Sequence, residues 1–265
     1  MRTLSGFFFV VIIVGSIWVS PYTFALAFAI IAAWTVFEFH KLTNKLSEIE
    51  VMPLLSIIGA VLLFITSFLF ASKLLHYPGY SVYGLYVVLV LIIELYRKKE
   101  NPIHNWAYFV LGQVIIALPF ALLNFILYIE SYQPLLLIAV FAMIWINDTG
   151  AYLVGITFGK SRLFERISPK KSWEGFFGGA ITTLISGYVF SLFIPEISLI
   201  EWLIFAELVV VFGTFGDLLE SLMKRTVQVK DSGDVIPGHG GLLDRFDSML
   251  LVAPAIFIYL SFLFK

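Results

Sequence analysis

The stretch Gln133-Pro-Leu-Leu-Leu-Ile-Ala-Val-Phe-Ala-Met-Ile-Trp-Ile-Asn-Asp148-Thr-Gly-Ala-Tyr-Leu-Val-Gly-Ile-Thr157 decides the fold. It is long enough to cross a bilayer, which takes ~20 predominantly apolar residues. Its single charge is Asp148, toward one end. In hydrocarbon an unsatisfied backbone group is too costly, so such a segment is helical. A β-barrel would need alternating segments of ~10 residues, and the chain has none.

Reading outward from this stretch, polar residues and Pro or Gly divide the chain into nine apolar segments. They lie at about 4–19, 22–40, 51–72, 81–96, 105–129, 133–157, 175–194, 199–222 and 247–264. Only Ser20-Pro21 separates the first two, so one bent span competes with two there. The first segment reads as a span rather than a removed signal peptide, because no small-residue cleavage pattern follows it. Of the 265 residues, 60% are hydrophobic and 13% charged. Soluble domains carry about twice that charge, which excludes an ordinary soluble fold. The net charge of −1 identifies no partner and gives no reason to expect nucleic acid. There is no cysteine, which excludes disulfides and thiolate metal sites.

The distribution of basic residues orients the spans. With nine crossings, all of the 17 lysines and arginines except Lys73 and Lys265 fall on one side. By the positive-inside rule that side is cytosolic, with the N-terminus inside and the C-terminus outside. The expected fold is therefore an all-α integral membrane protein of about nine transmembrane helices. Residues 1–130 would supply N-terminal anchoring spans, and residues 131–265 the catalytic region.

Ionisable residues inside spans cost roughly 2.5–3.5 kcal/mol on insertion scales and point to function. Asp148, Asp217, Asp244 and Asp247 stand on three segments, all toward the cytosolic side. Asp217, Glu220, Ser221 and Lys224 are spaced i, i+3, i+4 and i+7, so they share one helical face. Asp244 and Asp247 are likewise three apart. Clustered carboxylates without cysteine suit a hard cation such as Mg²⁺. The alternative is that Asp148 and Asp217 are polar glue between helices, or pair with Lys224 and Arg225. Glu38, beside His40, is a weaker candidate, and Glu94 reads as interfacial. For Glu207, structural pairing and function stand level.

The loops carry the opposite charge. Lys170 and Lys171, in Ser168-Pro-Lys-Lys-Ser-Trp-Glu-Gly175, could bind phosphates or touch anionic headgroups. Pro237-Gly-His239-Gly240-Gly241 is a permissive loop whose N–H groups can approach a phosphate, and it leads into a helix N-terminus. Gly155-Ile-Thr-Phe-Gly-Lys-Ser161 is not a P-loop, having three residues between its glycines instead of four. Gly178-Gly179 and Ser186-Gly187 read as close helix packing. His40, His76 and His104 lie near span ends and read as incidental.

The run Ser221-Leu-Met-Lys-Arg-Thr-Val-Gln-Val-Lys-Asp-Ser-Gly-Asp-Val-Ile-Pro-Gly-His-Gly-Gly-Leu-Leu-Asp-Arg-Phe-Asp247 resembles the signature of the phosphatidate cytidylyltransferase family. Every specified position of that pattern is matched, and the segments around Asp148 and Lys170-Lys171 are similar to the family too. The likeness covers about the C-terminal half.

The resemblance implies Mg²⁺-dependent transfer of CMP from CTP to phosphatidic acid, giving CDP-diacylglycerol and pyrophosphate at the cytosolic face of a bacterial-type inner membrane. A homodimer and a second metal ion are compatible with it. In that reading Asp217 and Asp244 hold the metal, with Asp148 and Asp231 as further ligands. Lys224, Arg225, Lys230 and Arg245 clamp phosphates, with Lys170, Lys171, Ser172, Ser221, Gly240 and Gly241 beside them, and His239 contacts a phosphate or leaving oxygen. Two rival classes are a CDP-alcohol phosphotransferase, whose D-G-x2-A-R pattern is absent, and a cation-coupled transporter, whose acids should sit at mid-membrane.

Overall fold

The computed structural model describes residues 2–75, 78–233 and 240–264. His76, Pro237, Gly238, His239 and Lys265 lie outside them, as do the side chains of residues 2–4 and 78. Among the described residues the regular elements are helices joined by short loops, with one two-stranded hairpin. In order the elements are α1 (Arg2–Val19), α2 (Pro21–Thr43), α3 (Pro53–Ala71), α4 (Pro78–Tyr96), α5 (Pro102–Leu111) and α6 (Leu118–Leu127). There follow α7 (Pro134–Phe158), β1 (Arg162–Phe164), β2 (Ser168–Ser172), α8 (Trp173–Phe193), α9 (Leu199–Thr226), α10 (Leu243–Phe246) and α11 (Met249–Leu263). A π-helical turn, Gly112–Ala117, joins α5 to α6 in one rod.

Eight of these rods are long and apolar enough to cross a membrane, counting Pro102–Leu127 and Leu243–Leu263 as one each. The apolar helix Ser5–Val19 is shorter. The protein is thus an all-α membrane protein, as its hydropathy requires. Proline opens α2, α3, α5 and α7, where its missing N–H costs nothing. Ser198 opens α9 with a reciprocal cap to Glu201.

At Ser20-Pro21 the chain makes two helices, not one bent span. The Ser20 hydroxyl accepts from the amides of Tyr22 and Thr23 at 3.0 and 3.4 Å, starting α2 afresh. Phe9 of α1 and Phe28 of α2 both pack on the Phe246 ring, at centroid distances of 5.6 and 6.4 Å. On one continuous helix those two residues would stand about 28 Å apart and could not share a neighbour. Hence α1 folds back along α2.

The closest helix pair is α7 and α8, and glycine sets its spacing. A Cβ on Gly178 would lie 2.4 Å from the Val154 side chain, and one on Gly150 would lie 2.1 Å from Thr182 Oγ1. No larger residue fits without moving a helix, in keeping with small-residue packing in lipid. The hairpin β1–β2 lies between these two helices in sequence. The segment holding Lys170 and Lys171, read from sequence as a loop, is its second strand.

One hydrophobic core runs through both halves of the chain, from Ile13 to Leu260. Near its functional end is Phe246, 2% exposed, between Asp244 and Asp247. Its ring meets Phe9, Phe28, Phe120 and Phe141, from α1, α2, α6 and α7. The N-terminal helices therefore build the socket that anchors the acidic turn.

Candidate active site

Four elements bring polar side chains to one end of the bundle. α7 supplies Asn147 and Asp148, and α9 supplies Asp217, Glu220, Ser221 and Lys224. The α10 turn supplies Asp244, Arg245 and Asp247, and β2 supplies Lys171. The approach of α9 to the start of α11 depends on Gly216, where a Cβ would lie 2.6 Å from the Asp247 carbonyl oxygen.

Carboxylate oxygens of Asp217, Glu220 and Asp247 all lie within 4.8 Å of one another. Few donors serve them. Asp217 pairs with Lys171 at 2.7 Å and accepts from the Ser221 hydroxyl at 3.2 Å. Asp247 accepts from the Ser248 amide at 2.7 Å. Glu220 is fully buried; its Oε2 lies 2.6 Å from Lys224 Nζ, and its Oε1 has no donor among the described residues. Three acids and two lysines thus leave an oxygen-lined point with excess negative charge.

Asp244 is placed differently. Its Oδ1 takes Lys224 Nζ at 2.7 Å. Its Oδ2 accepts from the Ser232 amide and hydroxyl and from the Gly241 amide, at 3.0, 2.9 and 2.8 Å. Both oxygens are engaged by the protein itself, so the structure does not set Asp244 beside Asp217 as a free pair of acids. The Gly241 N–H, expected to face a phosphate, is taken by this carboxylate. Gly240 has φ +81°, the left-handed backbone that glycine adopts without strain.

Two cavities meet here. One, of about 650 Å³, lies between α7, α8 and the hairpin and is lined by Asp148, Lys170, Lys171, Ser172, Arg162 and Asp217, among others. The other, of about 320 Å³, is walled by Ser5, Gly6 and Phe9 of α1 and by Asp148, Asp217, Asp244, Arg245 and Asp247, among others. Asp148 and Asp217 line both. A ligand in either space reaches the same carboxylates.

The remaining candidates are spread around this centre. Ser172 caps α8 through the Gly175 amide at 3.1 Å. Arg225 Nε donates to the Ile167 carbonyl at 3.4 Å, tying the end of α9 to the hairpin. Lys230 and Asp231 are exposed, and neither joins the three-acid group. His239 lies outside the described residues. Glu207 is exposed and lines neither cavity. Glu94, expected at the interface, is buried, with Arg97 at 2.6 Å and the Asn105 amide at 2.7 Å. His40 is buried against Gly112.

The sequence puts Glu220 on one helical face with Asp217, and Asp247 on the same side of the membrane, but neither Glu220 nor Asp247 is among the metal ligands expected from it. The signal was the pair of i, i+3 spacings; their mutual approach depends on how α9 crosses α11. Glu38, the weaker candidate in sequence, reaches the same region: its carboxylate accepts from the Leu243 amide at 2.8 Å and the Ser232 hydroxyl at 3.3 Å.

Comparison with known proteins gives this arrangement a lineage. Residues 1–263 match the family described as "Cytidylyltransferase family". The phosphatidate cytidylyltransferase of Haemophilus influenzae is 33% identical over 267 residues, covering 92% of this chain and 91% of its own. That of Bacillus subtilis is 34% identical over 226 residues, 82% of each. That of Thermotoga maritima is 42% identical over 125 residues, 45% of this chain and 46% of its own. The match extends well beyond the signature, through the helices that hold the acidic turn, and the chain belongs to the cytidylyltransferase family, as an enzyme of the nucleotidyltransferase class.

Proposed function

We propose that the chain transfers CMP from CTP to phosphatidic acid, forming CDP-diacylglycerol and releasing pyrophosphate, at the cytosolic face of the membrane. The observation that carries this reading is the junction of two cavities at Asp148 and Asp217. The reaction joins a water-soluble triphosphate to a lipid phosphate, so it needs two spaces that open on one centre. The basic bias of the loops supports a cytosolic site, with the N-terminus inside and the C-terminus outside. Ser5 and Gly6, near the start of α1, line the smaller cavity, which agrees with that orientation.

An oxygen of the lipid phosphate attacks the α-phosphorus of CTP, and the bond from that phosphorus to the α–β bridging oxygen breaks. Pyrophosphate carries the displaced electron pair away. The lipid phosphate is already a competent nucleophile near neutral pH. The protein's task is therefore positioning and charge neutralisation. Lys170, Lys171 and Arg162 line the larger cavity, which suits the triphosphate, and Lys171 stands where it can pass from Asp217 to a phosphate oxygen. Arg245 lines the smaller cavity, on the side walled by α1, which suits the lipid phosphate.

The donor set fits a hard divalent cation. Three carboxylates converge, the chain has no cysteine, no histidine joins the cluster among the described residues, and among those residues Glu220 Oε1 is buried without a donor. Asp217, Glu220 and Asp247 would hold Mg²⁺, with Asp148 at the mouth of both cavities as a further ligand. Such an ion neutralises phosphoryl charge. Asp244 is better suited to orienting Lys224 and the turn than to direct ligation.

The test is purified protein in detergent with CTP, phosphatidic acid and Mg²⁺. Lipid-soluble CDP-diacylglycerol and pyrophosphate should appear in equal amounts. If neither forms with any lipid phosphate, the reading fails. Independently, Mg²⁺ should raise the thermal midpoint of the unliganded protein and have little effect on Glu220→Gln. An equal shift in both would remove Glu220 from the ligand set.

A further inference from the structure

We propose that Glu38, near the end of α2, is a positioning residue for the acidic turn, acting through Ser232, Leu243 and Asp244. The proposal rests on the reaction assigned above and extends it to a residue far outside the signature.

Glu38 is 1% exposed, and among the described residues no cation pairs with it. A buried carboxylate without a counter-ion is costly unless donors converge on it. Here they do. Oε1 accepts from the Trp34 indole N–H at 3.1 Å, and Oε2 accepts from the Leu243 amide at 2.8 Å and the Ser232 hydroxyl at 3.3 Å. The backbone closes tightly on the acid: a Cβ on Gly241 would lie 2.4 Å from Oε2, and one on Gly233 would lie 2.7 Å from Oε1. The site is built around an acceptor-only group. Glutamine would turn its NH₂ toward either the indole N–H or the Leu243 N–H, setting donor against donor. Aspartate is one methylene too short to reach both.

The position of these donors gives the contact its consequence. Ser232 and Leu243 stand on two separate stretches of the chain beside the acidic turn, and one side chain ties them together. The Ser232 hydroxyl lies between Glu38 Oε2 and Asp244 Oδ2, at 3.3 and 2.9 Å, with one proton to share. Asp244 in turn holds Lys224, which reaches Glu220 in the three-acid cluster. The chain of contacts therefore runs Glu38, Ser232, Asp244, Lys224, Glu220. A change at Glu38 shifts the α10 turn, and with it Asp247 and Lys224. Misplacement of reacting groups by ~1 Å costs on the order of 100-fold in rate.

The experiment uses the full chain, purified in detergent, as Glu38→Gln, Ser232→Ala and the double variant. Glu38→Gln should lower kcat by about 10- to 100-fold. Exchange of the Leu243 and Ser232 amides with deuterium should quicken, while exchange in α7 and α8 stays as in the wild type. The loss in the double variant should fall well short of the product of the single losses, because the two residues share one link. Glu94→Gln, another buried carboxylate in the N-terminal half, should keep the wild-type kcat per folded molecule.

Wild-type kcat in Glu38→Gln overturns the proposal. So does a loss matching only the unfolded fraction, or losses that multiply fully with Ser232→Ala. If Glu38→Gln does not fold, Ser232→Ala alone decides through the exchange of the Leu243 amide, which must quicken. If the wild type makes no CDP-diacylglycerol, the assigned reaction fails, and the exchange measurements still test the link by themselves.

Discussion

Two groups of carboxylates sit side by side at one end of the bundle, and they are served very differently. Glu38 and Asp244 have each oxygen met by a donor: an indole, amides, a hydroxyl and a lysine. Asp217, Glu220 and Asp247 converge to within 4.8 Å with far fewer donors, and one buried oxygen of Glu220 has none among the described residues. Satisfied acids fix geometry; crowded acids with few donors repel one another, and a proton or a metal cation relieves that repulsion. Under the proposed function the first group is architecture and the second the working centre, although both consist of the same residue types.

The sharpest way to break this contrast is at the crowded group. Asp217→Asn and Asp247→Asn should each lower turnover by about 100- to 1000-fold, the scale for removing a preorganised electrostatic contact in a reaction centre. Their thermal midpoints should hold or rise, since each removes repulsion. A loss of less than tenfold in both, measured as pyrophosphate release, would move the centre elsewhere. Next in size is Phe246→Ala, which empties the socket shared by α1, α2, α6 and α7. It should cost about 3–5 kcal/mol of stability, read from denaturant melts in detergent.

Asp244→Asn sharpens the distinction. Asparagine keeps one acceptor oxygen, so its NH₂ must face either Lys224 or the Ser232 and Gly241 donors, setting donor against donor. The change should cost about 1–3 kcal/mol of stability together with activity, whereas the crowded acids lose activity alone. The smallest effect is expected at Lys171, which is partly exposed beside Asp217. Lys171→Ala should raise the KM for CTP by about tenfold, in line with loss of one charge-assisted hydrogen bond. An unchanged KM would take Lys171 out of the triphosphate site.

Much of this was legible before any coordinates. The helices appeared within a few residues of the apolar segments, because each must satisfy its own backbone in lipid. Asp148, Asp217 and Asp247 stood out because charge is rare in such segments. The hairpin at 162–172 was not legible: its strands are short, one contains Pro169, and Ser168-Pro-Lys-Lys-Ser172 has no apolar alternation. Glu38 was visible as a charge near a span end, but nothing local links it to residues some 200 positions away. Asp217, just upstream of the signature, and Asp244, within it, look alike in sequence, but Asp217 pairs with Lys171 and Ser221 whereas both Asp244 oxygens are taken by Lys224, Ser232 and Gly241.

The sequence by itself determined that the chain is a bundle of membrane helices in which Asp148, Asp217, Asp244 and Asp247 are charges that need a reason, because hydropathy and the energetic cost of buried charge act locally and residue by residue. It also determined that Asp217 and Glu220 share a face, since 3.6 residues make a turn. Only the tertiary structure decided which acids meet and which are already satisfied. That depends on helix crossings set by Gly216 and the α7–α8 glycines, and on an aromatic socket and a glutamate supplied by the N-terminal helices. Those contacts form through space, and spacing along the chain carries no record of them.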